Sequence, residues 1–270
     1  MGKEKISMAT FDVRFPIAYS IEDYQKGQTY CLSRNFIDEN AMDRMPAKIV
    51  KQKNNFTERH FEITKMMPSV LWLKPFLDME KMVLIEKTVA SGIASYSEFT
   101  LPAFSSLKMT TWSLYSENDA GNDTNYVAAN IHKYLPDIPP VPKPSENNNC
   151  KQIDCITYPL QGAQYREEHD PKKNPSPVTN KIIDPNWLQS HPKNGGKLMR
   201  SHKIVTINVK VPLFQDKLVQ MILNKGVIET VVRSHREVIF MEHIWGKMSK
   251  EEINDFQKKC HEESLKKGSN

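Results

Sequence analysis

The chain has 270 residues, 39% of them hydrophobic, and 37 basic against 32 acidic side chains for a net charge of +5. That length and apolar content can bury a substantial core and exclude an intrinsically disordered chain. The small basic excess permits attraction to anionic membrane surfaces but, without a Lys/Arg stripe interleaved with aromatics, gives no nucleic-acid site.

Phe11 to Ala18 alternates in part and predicts an opening strand. Ser20 and Asp23 have capping-box spacing before a helix over about Ile21 to Ser33, which Gly27 weakens. A strand near Ala47 to Val50 is followed by a hairpin partner, Phe56 to Ile63. Pro68 opens a short apolar segment, Ser69 to Phe76, that reads as a core helix. Further strands are predicted over Lys81 to Lys87, Ala94 to Leu101 and Ser105 to Leu114. The proline-rich stretch Asp137 to Pro144 excludes a regular helix or central strand, because proline removes a donor and restricts its predecessor. Lys151 to Tyr158 reads as a strand, and Glu167 to Pro192 as a polar loop.

The last third is the most regular. Ser201 to Lys210 reads as a strand. The link Val211, Pro212, Leu213 and Phe214 joins it to an amphipathic helix reaching about Trp245, with an apolar stripe including Leu218, Val227, Val232 and Trp245. Gly226 allows close packing or a bend. Ser249 and Glu252 form a second capping box for a final helix to about Ser264, whose Ile253, Phe256 and Cys260 make a docking face.

This order predicts an α+β fold, one curved sheet with helices closing its face. Pattern alone leaves open whether the enclosed volume holds side chains or a ligand. Cys31, Cys150, Cys155 and Cys260 lack metal spacing, and no phosphate loop, His-Glu-x-x-His run or nucleophile elbow occurs. The isolated glycines Gly92, Gly195 and Gly196 read as turns. His235 and Arg236 lie in a charged stretch and read as surface residues. The reading is therefore of a non-enzyme without cofactor or metal. With no signal core and no apolar run of 18 residues, the expected location is cytoplasmic. A basic-surface interaction module accounts for the charge. Lipid carriage also accounts for the long apolar helix, since each CH₂ withdrawn from water gains roughly 0.8 kcal/mol.

Ser20 to Tyr30, the run Pro185, Asn186 and Trp187, the strand Lys203 to Thr206, Phe214 with Gln215, and His235 through Trp245 follow one another in the order and approximate spacing of a known family. In these motifs the chain resembles the class I phosphatidylinositol transfer proteins over most of its length, residues 115–149 being poorly covered. The resemblance implies a START-like helix-grip fold: one domain over 1–270, a concave, mainly antiparallel sheet around a lipid cavity, and a lid helix over about 249–264. It implies a monomeric carrier that takes phosphatidylinositol or phosphatidylcholine as cargo and touches membranes transiently. The alternative is a non-transfer lipid-binding or membrane-associated interaction module with a different cargo.

Family residues near the lipid phosphate carry over to Gln28, Ser97, Thr111 and Lys203, types that supply donors and positive charge. Of the inositol-facing positions, the threonine is kept as Thr57, whereas lysine, asparagine and glutamate become Arg59, Ala90 and Gln257. Arg59 is a planar fork rather than a point charge, and Ala90 has no hydrogen bond to offer. An altered headgroup preference is the expectation. The family's membrane-inserting tryptophan pair falls on Val211 and Pro212, leaving Val211 to Phe214 as an apolar membrane-docking tip. The family's phosphorylatable serine falls on Ser176, a possible regulatory position.

Overall fold

A computed structural model of the chain describes residues 8–37, 47–62, 82–117, 125–144, 150–210 and 215–267. Eight strands form one sheet: β1 (Met8–Ile17), β2 (Ala47–Lys53), β3 (Phe56–Glu62), β4 (Val83–Ser91), β5 (Ala94–Thr100), β6 (Lys108–Glu117), β7 (Lys151–Gln152) and β8 (Met199–Asn208). Their spatial order is β2-β3-β4-β5-β6-β8-β1-β7. Every pairing is antiparallel except the short parallel one between β1 and β7. The meander β2 to β6 is local in sequence, whereas β8 arrives from far down the chain and fills the gap between β6 and β1.

The helices are α1 (Ile21–Arg34), the short α2 (Tyr126–Asn130) and α3 (Trp187–Lys193), then α4 (Gln215–Met221), α5 (Glu229–Phe240), α6 (Glu242–Trp245) and α7 (Lys250–Lys267). Between α4 and α5 the helix continues as a π-helical stretch, Ile222–Ile228. Gly226 lies in that stretch, and a Cβ there would meet nothing nearer than Ile222 Cγ2 at 3.8 Å. Close packing is therefore not its role. Phe11, Val13, Phe15, Val205 and Ile207 of the sheet pack with Leu218, Val219, Leu223, Val227 and Val232 into the main core. Such packing explains why the long helix lies along β1 and β8.

Ser20 forms an N-cap and Ser249 a full capping box. Ser20 Oγ accepts from the Asp23 amide, and at Ser249 the exchange is reciprocal, with Glu252 accepting from the Ser249 amide at 2.6 Å and Ser249 Oγ accepting from the Glu252 amide at 3.1 Å. α7 lays Ile253 and Cys260 against α1, with Phe256 stacked on Tyr30 at 5.0 Å between ring centroids. The helix runs three residues beyond the predicted end, to Lys267.

Gly27 has a specific reason to be glycine. A Cβ there would stand 2.7 Å from Trp245 Cε2 and 2.8 Å from Val238 Cγ1. The indole cannot easily yield, because its Nε1 donates to the Val238 carbonyl at 2.8 Å. Alanine would gain up to about 1 kcal/mol of helix propensity, but forcing a methyl into a packed contact costs about 1–3 kcal/mol. Gly27→Ala is thus expected to lower stability by about 1 kcal/mol or more in urea unfolding, and a stabilised variant would show that the α1–α6 contact relaxes freely.

Three expectations are corrected. Lys151 to Tyr158 is strand only over Lys151–Gln152. Asp154 ends it, accepting from the Ile156 amide, the Thr157 hydroxyl and the Trp187 indole. His235 and Arg236 are not surface residues; they are 4% and 3% exposed. The Arg236 guanidinium donates to the carbonyls of Cys155 (2.7 Å), Ile156 (3.0 Å) and Tyr158 (2.5 Å), holding the turn that Asp154 begins. The long helix is also interrupted at Met241, outside helical geometry, before α6. The predicted helix over Ser69 to Phe76 lies outside the described residues. The other predicted strands and helices stand within a few residues of their expected places, while α2 was not predicted and α3 forms inside the stretch read as a polar loop; the whole has the expected helix-grip, START-like architecture of a sheet gripped by helices.

Candidate functional site

Register decides which side chains share a face, since residues two apart on a strand point the same way. One cross-strand row runs Ala90, Ser95, Ser113, Lys203 and Val13. The next runs Thr57, Thr88, Ser97, Thr111, Val205 and Phe11, and the third Arg59, Glu86, Phe99, Met109 and Ile207. These rows are mainly polar over β3 to β6 and, apart from Lys203, apolar at β8 and β1. Tyr115, on the same face of β6, donates its hydroxyl to Gln28 Oε1 at 3.0 Å, so α1 stands over this face.

Seven of the eight carried-over lipid-facing residues, Gln28, Ser97, Thr111, Lys203, Thr57, Arg59 and Ala90, therefore meet on one surface. Gln257 is half-buried on α7. It sits one turn before His261, whose proton affinity is lowered by burial and by the nearby Arg59 charge. Hence α7 faces the Arg59 row.

Lys203 Nζ donates to Ser113 Oγ at 2.9 Å. Among the described residues no carboxylate pairs with it. Burial pushes its pKa down to about 8, with the Glu86 charge opposing. The side chain is half-buried rather than fully enclosed. A cation so placed is electrostatically incomplete and favours an anionic partner.

Arg59 differs. Its Nε stands 2.7 Å from Glu86 Oε2. Glu86 also accepts from the Thr88 hydroxyl (3.1 Å), which lies 2.7 Å from Ser97 Oγ. The Arg59 charge is thus compensated within the protein, and Ala90, two rows away, adds no polar group. Ser113, Glu86 and Thr88 were missed from sequence. The signal that could have found them is strand alternation, since Glu86 and Thr88 precede Ala90 by four and two positions and Ser113 follows Thr111 by two.

Ser176 is 7% exposed, and its Oγ accepts from the amides of Val178 and Thr179. With Trp187 and His235 it lines a separate cleft of about 600 Å³ that contains none of the carried-over lipid-facing residues. Val211, Pro212, Leu213 and Phe214 lie outside the described residues. Within the described residues no His, Cys, Asp or Glu group could hold a metal ion, and no helix is long and apolar enough to cross a membrane.

A sheet gripped by a long helix, with a cation and a row of hydroxyls beside an apolar wall, is the layout of a carrier for an amphiphile. Residues 8–262 match the family described as phosphatidylinositol transfer protein, and the chain belongs to that family, whose members carry lipids and do not catalyse reactions. It is 21% identical over 259 residues to the human membrane-associated phosphatidylinositol transfer protein 2, covering 92% of this chain and 18% of that protein. It is 22% identical to the human cytoplasmic phosphatidylinositol transfer protein 1, covering 95% of this chain and 74% of the relative. A Dictyostelium discoideum relative, phosphatidylinositol transfer protein 4, is likewise 22% identical, with 93% and 74% covered. The chain thus spans less than a fifth of the membrane-associated relative (18%).

Proposed function

We propose that the protein encloses one phospholipid, phosphatidylinositol or phosphatidylcholine, and moves it between membranes without covalent chemistry. The observation that carries this reading is Lys203, a deep ammonium that donates to a hydroxyl and, among the described residues, is paired with no carboxylate. A phosphodiester would complete it, with Gln28, Ser97 and Thr111 as neighbouring donors. The headgroup would then extend toward Thr57, Arg59, Ala90 and Gln257. Because Glu86 holds Arg59 and Ala90 has no hydrogen bond to offer, inositol hydroxyls find fewer free partners. Phosphatidylcholine is accordingly expected to compete well with phosphatidylinositol.

The test is to load the purified protein from mixed liposomes and identify its bound lipids by mass spectrometry. About one phospholipid per chain supports the reading. Strong inositol-lipid enrichment overturns the altered preference, and absence of phospholipid overturns carriage. Lipid that is held but never delivered to acceptor vesicles would favour a non-transfer binding module.

In this reading the carrier is cytoplasmic and monomeric when loaded, 1–270 acts as one domain, and the final helix is the lid. Val211 to Phe214 form the docking tip, and Ser176 is a regulatory position that a kinase reaches only after its turn opens. Leu213→Asp or Phe214→Asp is expected to reduce transfer to liposomes at least fivefold with a smaller effect on unfolding. Unchanged transfer in both would remove the tip from membrane docking.

A further inference from the structure

The run Pro139, Pro140, Val141, Pro142, Lys143 and Pro144 is a part of the fold that lipid carriage does not use. Four of its six residues are proline, each with φ held near about −65°. The other two, Val141 and Lys143, each precede a proline, which pushes them out of the helical region toward extended backbone. Every residue of the run is thus restrained toward polyproline II geometry, and neither helix nor strand forms there.

A polyproline II helix has three residues per turn, so side chains three apart share an edge. Burial follows this period. Ile138, Val141 and Pro144 are half-buried, and the first two pack against the cluster that contains Tyr96, Trp112, Leu114 and Ile204. Trp112 alternates with Thr111 and Ser113 on β6, so that cluster lies on the sheet face opposite the Lys203 row. Pro140 and Lys143 are exposed, as is Pro139, while Pro142 is half-buried. One edge is therefore anchored and two face outward.

The Trp112 indole fixes the start of the run by donating to the Pro139 carbonyl at 3.0 Å. Among the described residues nothing donates to the carbonyls of Pro140, Val141, Pro142 or Lys143. A recess of about 300 Å³ is lined by Pro139, Pro140 and Pro142 together with Tyr96, Trp112 and Thr110, so these prolines border open space. Covering the Trp112 cluster needs only the Ile138 and Val141 edge. The outward edges present the Pro-x-x-Pro spacing, at Pro139 and Pro142, that aromatic-lined grooves recognise. A run already restrained loses little conformational freedom on binding. Lys143 adds an exposed positive charge at one end, which an acidic group beside such a groove would complement.

We propose that residues 139–144 are a preformed polyproline II ligand for a partner domain with an SH3-type aromatic groove and an acidic rim. The partner docks on the outer face of the sheet and leaves the lipid-facing rows free. The inference goes beyond the carrier reading and does not depend on it.

The test presents the full chain to an array of purified SH3 domains and measures each binder by isothermal titration calorimetry. Micromolar binding by domains with an acidic rim is expected. Pro140→Ala and Lys143→Glu are each expected to weaken it about tenfold or more. Both side chains are exposed, so the urea midpoints of the two variants should stay close to that of the parent. A Pro-x-x-Pro peptide that fills the domain's groove should displace the chain. No binding by any domain of the array, undiminished binding by either variant, or binding that the peptide does not displace overturns the inference.

Discussion

Lys203→Met is expected to lower phospholipid transfer between vesicles at least 100-fold while leaving a folded protein that is more stable than the parent once delipidated. Methionine keeps most of the length and packing of the lysine stem, so the change isolates the ammonium. In the folded protein that group is buried, donates to Ser113 at 2.9 Å and has a pKa pushed down to about 8. In the unfolded chain lysine titrates near pH 10.4. Between those values the unfolded state binds more protons than the folded one, so stability rises with pH across this window and falls as pH is lowered toward 8. The contribution is on the order of 3 kcal/mol. A phosphodiester beside the ammonium would raise the folded pKa and flatten the slope.

Urea unfolding from pH 7.5 to 10.5 checks the argument. The delipidated parent should gain stability through the window. The loaded parent and Lys203→Met should be flat with respect to this residue. Transfer by the methionine variant within about threefold of the parent would show that Lys203 does not hold the phosphate. Such a result would send the search for the anion partner back to Gln28 and the hydroxyl row.

The second large effect is on stability. Arg236→Met is expected to destabilise the protein by about 3–5 kcal/mol, because the guanidinium is 3% exposed and satisfies three carbonyls of the 155–158 turn. Removing it leaves buried acceptors without donors, each costing about 1–3 kcal/mol before relaxation. Arg236→Lys should recover less than half of the loss, since one ammonium cannot reproduce a planar fork reaching three oxygens. Thermal and urea unfolding of both variants measure this. A loss below about 1 kcal/mol for methionine would mean that the turn is held by Asp154 alone, through its bonds to Ile156, Thr157 and Trp187.

Lys203 and Arg236 illustrate opposite degrees of legibility. Lys203 opens a motif that could be read along the chain, and the strand around it forms where the β-branched run predicts. Arg236 sits in a helix whose neighbours are charged, so local composition points to solvent. Only the fold shows it buried, because its partners lie some eighty residues earlier. The same contrast holds for Arg59, whose departure from lysine was visible in sequence while its compensation by Glu86 was not. That pair forms across β3 and β4, at positions 27 residues apart.

Local patterning determined the elements: alternation set the strands, hydroxyl–carboxylate spacing set both helix starts, and apolar period set the long helix. Those features depend on residues within one or two turns of each other, which is why they are written in the chain. Tertiary structure decided what those elements bring together. Insertion of β8 between β6 and β1 places Lys203 opposite Ser113, antiparallel register aligns Thr57, Thr88, Ser97 and Thr111 in one row, and docking of α1 turns Gln28 toward Tyr115. Charge compensation and hydrogen-bond direction are properties of neighbours in space, and here those neighbours are distant in sequence.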